Sequence, residues 1–584
     1  MYLKQSTKKK SGRTHLSICR GYYDKDSGYA RTVTVETLGY LDELKKEYDD
    51  PVAHFEAVVE AMNAREEEED AEYVIKCRKD KKLDRNVSTR RNYGYIVPME
   101  IFYELGIERF LLNRQRNSKI KHNTGTVMKL LVLSRLLYPA SKLKTFHEKS
   151  RFFDFEKENS FSLADIYRDL SHFAKLSDAL QKHLHERIVK QYGRELDLVY
   201  YDVTNFYFEI DKEDEIRQKG YSKEHRPDPI VNMGLAMDKD GIPIAYETFP
   251  GAESEKLHLR SMSRLLWQKF GTGKVIYVAD KAQNTGDNIN YIESGKHGYV
   301  FSQTIAGATA DFKKWVLDEI GYVEVYEDKE MTELKYKRKS AIVDRLISVS
   351  VFRNGQPDKR DEMVKQKIVV FYSEKYALRQ KAKRADVIQK AYKIMKDPAS
   401  YNRATSYGAL KYLKNIEIDK KTGEVKPVKA KPVFDFEKLE EEEKYDGYYA
   451  LVTNQLSMKD DDVIDTYRGL WKIEDCFKIT KSDIDTRPLY VSREDRINAH
   501  ILVCFIALII IRLIQKRLNG EYPVGQVLEA LRNISCSKET ENLYLFDFRD
   551  DVSDAIGRAF GLDFSNERLT RGEIKKNLAS VKKV

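Results

Sequence analysis

Short apolar runs break an otherwise charged chain and predict a sheet in its middle. Residues 196–202, within LDLVYYDV, are nearly continuous in apolar side chains, as a strand buried on both faces requires, and the run ends at Asp202. A second strand is expected at 230–237 (IVNMGLAM) and a third at 242–248 (IPIAYET). The D-K-D-G between them predicts a hairpin turn. A helical pattern then covers 254–270, and 274–279 (KVIYVA) predicts a strand ending at Asp280. Helix-forming residues after Asp287 lead to another strand at 299–304, and 448–453 (YYALVT) returns as a further apolar strand.

On either side the pattern changes. Residues 1–45 alternate and contain Gly-rich breaks, with a strand expected at 32–38, so a small β module opens the chain. A helix pattern at 51–72 ends in an acidic run, followed by Arg78, Lys79, Lys81, Lys82, Arg85, Arg90 and Arg91. Such a basic run is ordinarily linker surface, and its other reading is an arm that grips a nucleic-acid backbone. Residues 99–192 read as helical throughout. One helix at 124–138 is stopped by Pro139, and another starts at Ser162 with Asp165 three residues on, as in a capping box. Between about 305 and 447, lysine-rich strands (346–352, 368–372) and a basic helix (375–396) read as an insertion into the sheet domain. The expected division is therefore 1–98 (β module, helix, basic linker), 99–192 (helical), 193–304 (first part of an α/β core), 305–447 (insertion), 448–520 (core completion) and 521–584 (helical tail).

Composition narrows the class without choosing a function. The 584 residues exceed what one core usually accommodates, and 41% hydrophobic content supports several packed domains. The five scattered cysteines form no C-x-x-C pair, which argues against a structural zinc site and fits a reducing compartment. The run ILVCFIALIII at 501–511 is too short to span a bilayer and predicts a buried helix. With a polar, basic start and no signal-peptide core, a soluble cytoplasmic protein with no membrane partner is expected. A net charge of +9 permits a polyanionic partner without demanding one.

The candidate chemistry centres on 467–487, YRGLWKIEDCFKITKSDIDTR. Tyr467, Glu474 and Lys481 are seven apart, and seven residues miss two helical turns by only about 20°. On one helix they share a face. In a chain with 33% charged residues such a face is ordinarily solvated. Asp202 and Asp280 change that, because each ends an apolar strand and delivers a carboxylate to the edge of the sheet. Adjacent carboxylates repel unless a cation sits between them. Mg²⁺ or Mn²⁺, which prefer oxygen ligands, is the natural partner, and a pair of such ions suits chemistry at phosphorus. Glu474 would supply the third carboxylate. Asp197, Glu209 and Asp475 are second choices.

The strand order and acid placement resemble the RNase H-like core of DDE transposases. The segment from Tyr467 is similar to the Y-x2-R-x3-E-x6-K signature of a large group of bacterial insertion-sequence transposases, with Leu470 at the Arg position. YDVTNFYFE, GIPIAYETFPG, VADKA and RPLYVSREDRINAHILVCFIAL resemble the same group, over about 196–304 and 448–515. The resemblance implies an α/β, RNase H-like catalytic core carrying a large insertion. It implies that Asp202, Asp280 and Glu474 bind metal and catalyse, and that Tyr467 and Lys481 contact terminal DNA phosphates. It further implies Mg²⁺-dependent cleavage at the terminal inverted repeats, transfer of the 3′-hydroxyl ends into target DNA, and a homodimer or higher oligomer on paired ends. Arg468, Lys223, Arg226 and Arg487 are further candidate DNA contacts, each equally readable as surface charge. Two alternatives stand beside this reading: an RNase H-like nuclease without strand transfer, and a DNA-binding protein with an inactive site.

Overall fold

The computed structural model describes the chain apart from residues 8–11, 25–28, 70–81, 83–84, 86–87, 117, 156–160, 221, 224–226, 328–332, 354–355, 399–405, 407, 419–424, 428–430, 488, 490, 541 and 584. Arg78, Lys79, Lys81 and Arg226 therefore lie outside the described residues. The chain forms two compact units, Met1–Ser88 and Thr89–Val584.

The first unit is a three-stranded antiparallel sheet, β1 (Tyr2–Thr7), β2 (Thr14–Asp24) and β3 (Tyr29–Tyr40), followed by the helix Pro51–Glu69. Its middle strand buries Leu16, Ile18 and Cys19.

The second unit is mixed α/β. A short strand, β4 (Arg90–Asn92), precedes the helices Ile96–Glu104, Ile107–Gln115, Thr124–Leu137 and Leu163–Tyr192. Ser162 and Asp165 form the expected capping box on the last of these, each side chain accepting the other's backbone N–H. The large sheet contains β5 (Leu198–Tyr207), β6 (Ile230–Met237), β7 (Pro243–Pro250), β8 (Ile276–Ala279) and β9 (Gly298–Gln303). It continues with β10 (Val323–Tyr326), β11 (Leu334–Arg353) and β12 (Gln356–Tyr372). Two ribbons lie in the insertion: β13 (Leu413–Lys414) pairs with β16 (Val433–Phe434), and β14 (Ile416–Ile418) with β15 (Val425–Pro427). β17 (Tyr448–Thr453) completes the sheet, whose order is β10-β11-β12-β17-β9-β8-β5-β6-β7. β8 runs parallel to β5 and β9, and the remaining pairs are antiparallel.

Two expectations are corrected here. The strands expected inside the insertion are much longer, and β12 pairs directly with β17, so the insertion hairpin extends the core sheet. The tail is not purely helical: β18 (Ser535–Lys538), β19 (Leu543–Phe546) and β20 (Arg568–Thr570) form a sheet with β4 in the order β20-β19-β18-β4. These strands are three or four residues long, too short for a period-two pattern to stand out.

The apolar run lies in the helix Glu494–Arg517, which is long and apolar enough to cross a membrane yet is 89% buried inside the protein over its most apolar stretch. It packs against Leu163–Tyr192, Thr124–Leu137, Ile96–Glu104 and β7. Next to it, Lys142 Nζ donates to His500 Nδ1 at 2.9 Å, which leaves the His500 Nε2–H to donate to the Thr486 carbonyl at 3.2 Å. Burial lowers Lys142 to about 7, helped by Arg135, while Cys504 opposes the shift. Burial likewise holds His500 well below its ordinary value, with Lys142 and Arg135 adding to it. The unfolded chain keeps this lysine protonated to about pH 10.4. Between those values the unfolded state binds the extra proton, so stability rises with pH from about 7 upward. Urea unfolding at about pH 7 and about pH 9 should show that rise, and Lys142→Met should remove it.

Candidate active site

Parallel pairing aligns the two aspartates. Leu198, Val199 and Tyr200 of β5 lie opposite Ile276, Tyr277 and Val278 of β8. Carried forward in the same register, Asp202 is level with Asp280, on the strand face shared by Tyr200 and Val278. Neighbouring strands lie roughly 4.8 Å apart. β8 stops at Ala279, and Asp280 caps the 3₁₀ turn Lys281–Gln283, its Oδ1 accepting from the Ala282 N–H at 2.9 Å. Asp202 does not end its strand as expected. β5 runs on to Tyr207 because β6 pairs along its other edge, with Asp202 opposite Leu235. The parallel pairing itself stops at Tyr200, two residues before Asp202, so β8 no longer covers that edge of β5 beside the carboxylate.

One more acid and a lysine act on Asp202 and Asp280. Lys223 Nζ lies 3.3 Å from Asp202 Oδ1 and also donates to the Val203 carbonyl. Asp202 Oδ1 accepts from the Val203 N–H at 2.7 Å. Burial raises the Asp202 pKa; Lys223 opposes the shift and Asp280 adds to it. Glu255, on the 3₁₀ turn Glu255–Leu257, is raised by burial as well, with Lys223 lowering it and Asp280 and Asp202 raising it. Burial works against the Lys223 ammonium, yet Asp202, Glu255 and Asp280 together hold it above the ordinary lysine value. The sequence reading missed Glu255. Its only signal there is its place shortly after the P-G that ends β7.

Glu474 lies on a helix that is broken where one continuous helix is expected. Asp460–Arg468 ends just after Tyr467, Trp471–Lys478 carries Glu474, and a π-helical turn, Ile479–Asp483, carries Lys481. The cause lies on β5: the Tyr200 hydroxyl donates to the Thr466 carbonyl at 3.1 Å and fills the space beside Gly469. A Cβ on Gly469 would come within 1.8 Å of that oxygen. The heptad therefore spans three helical segments rather than one continuous α-helix. Tyr467 is half-buried, its hydroxyl 2.7 Å from that of Tyr449 on β17. Burial raises the Tyr449 pKa, and Asp280 and Glu474 both add to it, so this tyrosine lies within the field of both acids. Glu474 itself is exposed.

The other candidates divide. Leu470 is 7% exposed in the main core, so the signature's Arg position is here a packing position. Arg468 lies over Tyr336 (4.6 Å) and pairs with Asp465 at 3.4 Å. Arg487 lies over Tyr207 near the end of β5, at 5.1 Å. Lys481 is half-buried. Asp475, a second choice, is held by Arg512 at 2.8 Å.

Beside Asp280 opens a cavity of about 520 Å³ between β9, β17 and the basic helix Glu374–Lys396. Lys281, Arg379 and Lys383 line it without an ion pair among the described residues, together with Tyr376, Tyr448 and Tyr449. Unpaired cations beside aromatic rings suit a nucleic-acid strand. For a metal, the donors are all carboxylate oxygens drawn together against their mutual repulsion, which fits a hard divalent cation in kind. Among the described residues no three His, Cys, Asp or Glu side chains already form a cage.

Residues 3–73 match the family described as IS1634 family transposase, N-terminal domain. The match supports an insertion-sequence transposase. No curated protein matches the chain. Among solved structures, the piggyBac transposase synaptic complex with hairpin DNA is similar at 8% identity and a TM-score of 0.32, covering 84% of this chain and 84% of that one. The Mos1 transposase paired-end complex with left transposon end is similar at 12% identity and a TM-score of 0.13, covering 41% and 65%. Both scores are too low to establish a shared fold.

Proposed function

We propose that the chain is a DDE-type DNA transposase with an RNase H-like core, in which Asp202, Asp280 and Glu474 hold Mg²⁺ or Mn²⁺. The observation that carries this reading is the register of β5 on β8, which brings Asp202 level with Asp280 at one end of the parallel pairing. Divalent ions at such a site supply charge stabilisation at phosphorus and an activated oxygen nucleophile. The protein's own residues then have defined tasks. Asp202 on β5 and Asp280 just past the end of β8 fix the reacting centre at the end of the parallel ladder. Tyr449 and Tyr467 form a hydroxyl pair within reach of the field of Asp280, suited to orient a phosphate oxygen. Lys281, Arg379 and Lys383 line the path of a DNA strand leaving Asp280. Lys481, Arg487 and Arg226 serve as further backbone contacts, and DNA ends are paired by two or more copies.

The test is the full chain with Mg²⁺ and DNA carrying the inverted ends of its own element. Cleavage that exposes a 3′-hydroxyl, followed by joining of that end to a second duplex, is the expected result. Cutting without joining would replace the reading by a metal-dependent nuclease, and binding without cutting by an inactive DNA-binding protein.

A further inference from the structure

We propose that Lys223 is a resident cation of the carboxylate site, displaced when a divalent ion binds, and that Glu255 is the acid that receives it. The proposal rests on the reading of Asp202 and Asp280 as metal-holding residues. Lys223 reaches Asp202 from a loop, 3.3 Å from Oδ1, and its second tie is to the carbonyl of the very next residue, Val203. The ammonium thus holds one of the two Asp202 oxygens, for which a metal ion would compete. A divalent ion and an ammonium at about 4 Å repel strongly at the effective dielectric of a protein surface, so the ion and the lysine compete for Asp202. Lysine suits a removable cation, being a point charge on a flexible four-carbon stem rather than a planar fork.

Glu255 offers a fixed place for it to go. The Gln283 amide donates to the Glu255 carbonyl at 3.2 Å, and the buried Asn288 amide donates to the Lys256 and Gln283 carbonyls, each at 3.1 Å. These bonds fasten the Glu255 turn to the turn that Asp280 caps. The Glu255 carboxylate itself accepts no hydrogen bond among the described residues, and it already lies within electrostatic reach of Lys223. A swing of the lysine stem from Asp202 to Glu255 would leave the two aspartates free.

Mn²⁺ binding to the full chain without DNA, followed by the EPR signal of the free ion, tests this. Lys223→Met keeps the stem and removes the charge, and should bind Mn²⁺ about tenfold more tightly than the unaltered chain. Glu255→Gln should bind more weakly, but should change nothing when introduced into Lys223→Met, where no ammonium remains to be received. Unchanged Mn²⁺ binding in Lys223→Met would leave the lysine a DNA contact and overturn the displacement. Equal weakening by Glu255→Gln in both backgrounds would make Glu255 a direct ligand and overturn its part. Asp202→Asn separates the two readings: full Mn²⁺ binding in that variant sinks the metal site itself, whereas lost binding there with no gain in Lys223→Met sinks only the displacement.

Discussion

Asp202→Asn, Asp280→Asn and Glu474→Gln should each reduce strand cleavage by roughly a thousandfold or more while the protein stays folded, since under the proposed function each removes one charged oxygen ligand from a site whose catalysis is electrostatic. The three substitutions keep volume and shape, so a loss of activity reports charge rather than packing. Their effects on stability should be small or favourable, which excludes unfolding as the cause. Burial raises the Asp202 pKa above its unfolded value, so the ionised carboxylate is a cost to the fold above that range. Asp202→Asn relieves the cost and should be as stable as the parent or more so. Asp280 caps a turn through its side-chain oxygen, and asparagine caps equally well. Glu474 is exposed, so Glu474→Gln should move stability by no more than about 0.5 kcal/mol. Cleavage of end-bearing DNA with Mg²⁺, beside urea unfolding of the same preparations, gives both readouts. Parent-level cutting by any one variant would remove that residue from the proposed triad.

The parts legible in sequence are those fixed by local pattern. β6 was readable because its apolar residues fill both faces, and the hairpin after it because D-K-D-G supplies Gly241 at a positive φ. The Ser162 capping box lies within four residues and needs nothing from elsewhere. What escaped is non-local. Nothing in YRGLWKIE says that Tyr200, more than 260 residues earlier, inserts beside Gly469 and splits the helix. The extension of β5 past Asp202 depends on β6 pairing along its other edge, and the length of β11 and β12 on their pairing with each other. Glu255 was invisible for the same reason: a glutamate in ESEK reads as surface until Gln283 and Asn288 fasten its turn to that of Asp280. The strand and helix that carry the proposed triad were thus readable, but not the residues that surround it.

A second large effect is expected far from the carboxylates. Arg194→Met should destabilise the protein by about 3–5 kcal/mol, the usual consequence of leaving one member of a buried ion pair alone. The Arg194 and Asp238 side chains are 1% and 4% exposed, and Arg194 Nε donates to Asp238 Oδ2 at 2.7 Å. Arg194 also donates to the Pro243 carbonyl at 2.8 Å, while Asp238 Oδ1 accepts from the N–H groups of Asp240 and Ile242 at 3.0 and 2.9 Å. The pair therefore closes the β6–β7 turn from both sides. Burial already raises the Asp238 pKa with Arg194 in place. Without the guanidinium the carboxyl should shift further toward its neutral form, so the loss of stability should be smaller at low pH than at neutral pH. The consequence reaches the site because the Glu474 helix rests on this turn: Lys472 Nζ donates to the Lys239 carbonyl at 2.5 Å, and Cys476 Sγ lies 3.7 Å from the Gly241 carbonyl. Arg194→Met should thus lower cleavage as well as stability, whereas the double variant Arg194→Met/Asp238→Asn, which leaves no buried charge, should regain a good part of the stability. If unfolding of Arg194→Met differs from the parent by less than about 1 kcal/mol, the turn is not held by this pair and the support it gives to Glu474 has another source.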